Sequence, residues 1–396
     1  MHETPDFLPR RRDALAFLLA SGASLCSPGF GFGAEQSARP AAAPSKPAAA
    51  DRTAPLLKDV FKSHFAVGMA GDVPGNYSER ELALVREQFN AVTPENCMKP
   101  SLVHPSENQW RFERTDAFMN WCVENKIAFI HGHTLLWHHQ TGDWFFQGDD
   151  KAVVIQRMKS HIDGLAGRYK GKIRSWDVVN EAIDDRGDAR TAETENLRKT
   201  GWLRTVGPEF LTLAFQFARQ ADPAAQLYYN DYGIEAGPKH ASSMVLLRRL
   251  LKEKAPVYGV GIQGHWSTRG IPYDALDRSI ADYASLGLKV AISELDVTIA
   301  GASGGQLGGA GGRREVRPPT AEELQAQADA YAKLFAIFVK HKDVIDRITF
   351  WGLNDRRTWR YGQHPLLFDA ECRPKSAFWA VVEQANRSIR PAAASR

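Results

Sequence analysis

The sequence predicts a single (β/α)8 barrel, a TIM barrel, preceded by an export signal and a Pro/Ala-rich linker. Three observations predict the barrel. From residue 60 onward, short β-branched or apolar runs alternate with helical stretches, the pattern of parallel strands joined by crossover helices. There are eight such runs, and the central ones lack polar alternation, as strands covered on both faces do. Polar or aromatic residues also lie at or just beyond the end of nearly every run, and barrels carry their chemistry at the C-terminal strand ends. A doubly wound open sheet shares the alternation. It is disfavoured because no glycine-rich phosphate fingerprint follows the first strand.

The elements follow in order. Arg10, Arg11 and Arg12 precede an apolar stretch from Ala14 to Leu25, the n-region and h-region of an export signal over residues 1–33. The consecutive arginines resemble a twin-arginine signal, with Sec export as the alternative. The apolar run is too short to span a membrane. Residues 34–52 read as a linker, because residues 34–50 hold eight Ala and three Pro and have nothing large to bury. The barrel domain is expected over 53–390, with a short tail at 391–396. Its strands are expected at His64–Met69, Phe89–Thr93, Ile127–Gly132, Ile173–Val179, Gln226–Asn230, Tyr258–Gln263, Leu288–Ser293 and Arg347–Trp351. Helices are expected between them, from Glu79–Gln88 to Lys375–Ala385. Residues 301–312, seven of them Gly, read as a solvated excursion after the seventh strand.

Composition excludes several classes. Hydrophobic residues make up 43% of the 396, enough for a large core, so global disorder is excluded. Fifty basic against 46 acidic residues is too balanced for a dedicated nucleic-acid binder. Four cysteines, one of them in the export segment, do not make a disulfide-stapled miniprotein. No CxxC pair offers thiolates to zinc. Ten Trp is a high count, and indole faces suit stacking on ligands.

The strand ends carry carboxylates, amides, imidazoles and indoles toward one rim. Glu181 and Glu294 end strands four and seven, which face each other across a barrel mouth. Glycoside hydrolysis needs two such groups, one to protonate the leaving oxygen and one to attack the anomeric carbon or activate water.

Six segments carry a resemblance in co-linear order: Thr93–Lys99, Gly132–His138, Trp176–Ala182, Tyr228–Tyr232, Ile292–Asp296 and Phe350–Arg360. They are similar to the signature segments of glycoside hydrolase family 10, the endo-1,4-β-xylanases, over roughly residues 55–388. The resemblance implies a retaining endo-xylanase with Glu181 as general acid/base and Glu294 as nucleophile. It also implies that Asn180 holds the sugar 2-hydroxyl and that His265 hydrogen-bonds the nucleophile. Gln263, two residues before His265, is expected on the same strand face. Glu95, Asn96 and Lys99 match the polar set on the non-reducing side, and His133, Trp137 and Gln140 the contribution of strand three. Trp351 and Trp359 match the indole floor and wall. Asp231, Asp296 and Asp355 are expected to orient other side chains, and Trp110, Trp121 and Trp176 to be core.

The implied partners are xylan and xylo-oligosaccharides. No cofactor, metal, nucleic acid or membrane span is expected of the mature chain, taken to be a monomer exported to the periplasm or beyond. A β-1,4-glucanase with xylanase side activity is the nearest alternative. A metal-dependent barrel hydrolase built on the H-x-H pair His131 and His133, and a non-catalytic carbohydrate-binding barrel, are further ones. The sequence departs from the family pattern at Gly142, Pro100 and Asn354.

Overall fold

In the computed structural model, the described residues are 54–185, 196–299, 301 and 316–389, with side chains described as far as 387 in the last stretch. The expected export signal, linker and C-terminal tail lie outside them, as does nearly all of the glycine-rich excursion.

Nine parallel strands form the sheet: β1 Ala66–Ala70, β2 Ala91–Thr93, β3 Phe129–Gly132, β4 Ser175–Asn180, β5 Gln226–Asp231, β6 Gly259–Ile262, β7 His265–Ser267, β8 Lys289–Thr298 and β9 Ile345–Phe350. Each of β1 to β5 pairs with the next; β6 then pairs with β8, β8 with β9, and β9 with β1. Eight strands therefore close on themselves, and β7 lies alongside the upper half of β8. This is the (β/α)8 barrel.

A helix follows each barrel strand on the outside: α2 Glu79–Gln88, α4 Glu113–Glu124, α5 Lys151–Arg168, α7 Phe210–Ala221, α8 Gly237–Lys252, α9 Tyr273–Ser285, α10 Ala321–Lys340 and α11 Ser376–Ile389. Short helices α1 Leu57–Val60, α3 Pro100–Val103 and α6 Gly201–Thr205 are additional and were not legible as periodic runs. Local chemistry explains the clearest helix starts. Ser78 and Glu81 form a capping box before α2, and Thr320 and Glu323 form one before α10. In α10, Ala330, Tyr331, Leu334, Phe335 and Phe338 recur at helical spacing and are buried against the barrel.

Two differences from the expected strands bear on the site. The run Tyr258–Gln263 does not carry His265 on one face with Gln263. The strand stops at Ile262, and Gly264 turns the chain at φ 83° before His265 opens β7. Glycine takes this left-handed backbone without the steric penalty other residues incur. The seventh barrel strand runs ten residues, to Thr298, so Glu294 and Asp296 sit inside β8 rather than at its end. Its pairing with β9 slips between Ile292 and Leu295, a local irregularity that re-aims the side chains there.

Trp121 and Trp176 are buried and Trp110 packs against the core. Cys97, Cys122 and Cys372 are all buried and free. Among the described residues, no helix is long and apolar enough to cross a membrane.

Candidate active site

A cavity of about 660 Å³ opens at the C-terminal mouth of the barrel. Glu181 and Glu294 both line it, from the end of β4 and from within β8. Backbone hydrogen bonds fix both: Glu181 N donates to Asn230 O at 2.8 Å, and Glu294 N donates to Gln263 O at 2.8 Å. Glu181 has φ 58°, a sparsely populated backbone for a residue with a side chain, and such conformations concentrate at functional sites.

Each carboxylate is held by its own donors. Trp137 Nε1 donates to Glu181 Oε2 and Gln263 Nε2 to Glu181 Oε1, both at 2.8 Å. His138 Nδ1 lies 3.8 Å from Glu181 Oε2. Burial, then the neighbouring His139 ring and Arg198 guanidinium, push the His138 imidazole down to about 3. On the other carboxylate, Asn230 Nδ2 donates to Glu294 Oε1 at 2.8 Å, and His265 Nε2 lies 3.2 Å from Glu294 Oε2. The Asn180 and Asn230 side-chain amides lie 2.8 Å apart, which links the surroundings of the two carboxylates.

The electrostatics of the two flanks differ. Burial opposes charge on Glu294, yet the His265 hydrogen bond and the His133 and His265 imidazoles hold its carboxyl below the usual range. His265 reaches Asp296 Oδ2 with its Nδ1 at 2.9 Å. Burial lowers the His265 pKa, but Asp296 and Glu294 outweigh it and raise it to about 9. Glu95 is pushed up by burial against the pull of Lys99, and Lys99 is pushed down by burial against Glu95 and Glu294.

The cavity lining brings together most of the residues expected from sequence. Glu95, Lys99, His133, Trp137, Asn180, Gln263 and His265 line it with the two carboxylates, and Trp351 and Trp359 supply indole surfaces. Lys99 Nζ sits over the Trp137 ring, 5.1 Å from its centroid. Trp359 Nε1 donates to Asp296 Oδ2 at 2.9 Å, so Asp296 orients both His265 and Trp359. Asn96 and Gln140 do not line the cavity. The Asn96 side chain accepts from Lys99 Nζ at 3.1 Å, and Gln140 is exposed. Asp231 accepts from Lys239 Nζ at 2.8 Å, and Asp355 from Lys375 Nζ at 2.9 Å.

His131 and His133, read as a possible metal pair, both turn to one carboxylate. Each has a ring nitrogen 2.9 Å from Asp177 Oδ2. Among the described residues, no group of three or more His, Cys, Asp or Glu is arranged to hold a metal ion.

Tyr232, Glu235, His139 and Arg360 also line the cavity and were missed. Tyr232 was within reach, since it closes a segment already singled out. Arg360 likewise closes one, Phe350–Arg360, whereas His139 and Glu235 lie just beyond such segments, where no strand pattern indicates direction.

Two carboxylates with separate donor sets, flanked by amides and indole faces at a barrel mouth, define the class: a hydrolase of glycosidic bonds. The comparisons with known proteins narrow this. Residues 56–384 match the pattern of glycosyl hydrolase family 10, and the chain belongs to that family. It is 36% identical over 342 residues to endo-1,4-beta-xylanase B of Paenibacillus barcinonensis, covering 83% of this chain and 98% of that one. It is likewise 36% identical to an endo-1,4-beta-xylanase of Geobacillus stearothermophilus, with the same coverage. The crystal structure of the Paenibacillus barcinonensis xylanase, in complex with a conduramine derivative, superposes with a TM-score of 0.74. A mutant of an intracellular xylanase from Thermoanaerobacterium saccharolyticum, solved with xylotriose, is 32% identical; it covers 83% of this chain and 98% of that one, with a TM-score of 0.73.

Proposed function

We propose that this chain is a retaining endo-1,4-β-xylanase that cleaves internal β-1,4-xylosidic bonds of xylan by double displacement. The observation that carries the reading is the placing of Glu181 and Glu294 on one cavity, each with its own hydrogen-bond donors. Glu294, favoured as the anion, attacks the anomeric carbon while Glu181 gives its proton to the departing sugar oxygen. The C–O bond breaks and an ester to Glu294 forms. Glu181, now a carboxylate, takes a proton from water; the water oxygen bonds the anomeric carbon and Glu294 leaves. Two inversions leave the β configuration.

His265 and Asn230 hold the nucleophile; Trp137 and Gln263 orient the acid. Glu95, Lys99, His133 and Asn180 bind the sugar on the non-reducing side and at the cleaved unit, with Asn96 holding Lys99 and with Trp351 and Trp359 as stacking faces. The reaction uses no cofactor. The arginine triplet and apolar run of residues 1–33 support export to the periplasm or beyond, with 34–52 as a tether to the barrel domain. The chain acts as a monomer.

Proton NMR of xylo-oligosaccharide hydrolysis tests the reading. The β-anomer is expected to appear first and mutarotate. An α-anomer first would replace double displacement by single displacement, and no hydrolysis of xylan would end the assignment.

A further inference from the structure

A second cavity of about 560 Å³ adjoins the catalytic one and shares Glu95 and Trp359 with it. It therefore lies on the side that Glu95 and Lys99 mark as non-reducing. Three guanidiniums line it: Arg114, Arg356 and Arg357. Their commitments are unequal, and that inequality is informative.

Arg357 is used up by the fold. Its Nε donates to Glu81 Oε1 at 2.9 Å and its Nη2 to Glu81 Oε2 at 3.2 Å. Glu81 is itself committed, since Oε2 also accepts from the Ser78 backbone and hydroxyl. Arg114 gives one nitrogen to Asp72 Oδ2 at 2.8 Å, and Asp72 Oδ1 already accepts from Asn96 N and Cys97 N. Arg356 is different. Its nearest carboxylate oxygen, Glu81 Oε1, is 3.9 Å from Nε, beyond a hydrogen bond, and the side chain is 58% exposed. Two occupied carboxylates thus leave one guanidinium with its fork of donors unspent.

The turn that presents Arg356 is built. Asn354, one of the positions where this chain departs from the family pattern, is fully buried, and its Oδ1 accepts from Arg356 N at 3.0 Å and Arg357 N at 2.9 Å. Its amide nitrogen reaches Cys372 Sγ at 3.2 Å. One buried amide thus holds the backbone of both arginines, of which Arg357 is tied to Glu81 and Arg356 is not.

We infer that this second cavity receives a carboxylate-bearing sugar unit, a uronic acid branch of the xylan chain, on the non-reducing side of the cleaved bond, with Arg356 as the specificity-determining contact. A guanidinium fork matches a carboxylate in geometry as well as charge. Arg114 lines the same cavity but is paired with Asp72, so Arg356 is the guanidinium left to a ligand. The inference rests on the xylanase reading above and names the decoration that the same cleft selects.

The test uses two xylo-oligosaccharides of identical backbone, one with a uronic acid branch and one with that branch carboxyl reduced to an alcohol. The full chain should show a kcat/KM about two- to fivefold higher on the acidic substrate, the size expected of a partly exposed ion pair. Arg356→Ala should bring the ratio close to one, and Arg356→Lys should restore part of it. High salt should shrink it in the unmodified chain. A ratio of one in the unmodified chain, or a ratio that Arg356→Ala leaves intact, would overturn the inference. Failure of the unmodified chain to cleave either substrate would overturn the hydrolase reading itself, and the inference with it.

Discussion

His265 places Nδ1 2.9 Å from Asp296 Oδ2 while its Nε2 lies 3.2 Å from Glu294 Oε2. Two carboxylates facing two ring nitrogens require both nitrogens to carry protons, so the ring is an imidazolium in the folded protein. Its pKa, raised from 6.5 to about 9, agrees: burial opposes the charge, but Asp296 and then Glu294 outweigh burial.

Stability should therefore depend on pH with a definite sign. A raised imidazole pKa stabilises the fold fully below the unfolded value of about 6.5, and that contribution is lost as pH rises through about 9. Glu294 acts oppositely. Its depressed pKa stabilises above the unfolded value of about 4.3 and is lost as pH falls through the lower folded value. Urea midpoints between pH 6 and 9.5 should fall more steeply for the unmodified chain than for His265→Gln. Parallel curves would show that His265 is not the titrating group.

Glu181→Gln and Glu294→Gln should fail differently. Without the acid, xylan hydrolysis should drop about 100-fold or more. Aryl xylobiosides with a nitrophenolate leaving group, which need no proton, should lose far less in their first step. Without the nucleophile both substrates should be lost together. Burst kinetics and steady-state rates on the two substrates separate these outcomes. Equal losses in the two variants would contradict the division of roles.

How much of this was legible in sequence depended on the kind of signal. The eight strands and their order were readable because a buried parallel strand is a short apolar run bounded by helices. The reading went astray where backbone geometry overrode alternation. Gly264 breaks the chain between Gln263 and His265, yet the two side chains still reach the site, on Glu181 and Glu294 respectively. Alternation along one strand could not have anticipated that. Asn230 closes an expected strand, but its link from Glu294 to Asn180 depends on three strands meeting in space. Tyr232, Glu235 and Arg360 sit on loops, where spacing carries no information about direction.

Gln263 should matter through Glu181 rather than through folding. It donates the 2.8 Å hydrogen bond to Glu181 Oε1, while Trp137 serves the other oxygen. Gln263→Ala leaves that oxygen without its protein donor, and a hydrogen bond to the carboxylate that forms as Glu181 gives up its proton contributes about 1.5–3 kcal/mol. We expect kcat to fall about 10-fold or more with a smaller change in KM. A variant with unaltered kcat on xylan would remove Gln263 from the acid's support.

Gly132 tests how tightly the barrel holds its catalytic rim. Gly132 and Trp176 are register partners on β3 and β4, and Trp176 is fully buried. A Cβ on Gly132 would lie 2.2 Å from Trp176 Cε3 and 2.3 Å from Cζ3, well inside contact distance. The indole cannot retreat, because protein interiors are close-packed. Gly132→Ala should therefore destabilise by about 1–3 kcal/mol, the usual cost of overpacking. β3 leads directly into His133 and Trp137, so the strain should also displace Trp137 from Glu181 and lower kcat. Combining it with Trp176→Phe, which removes part of the clash, should recover more stability than the single effects predict. Strict additivity in thermal melts of the four proteins would place the strain elsewhere than between these two residues.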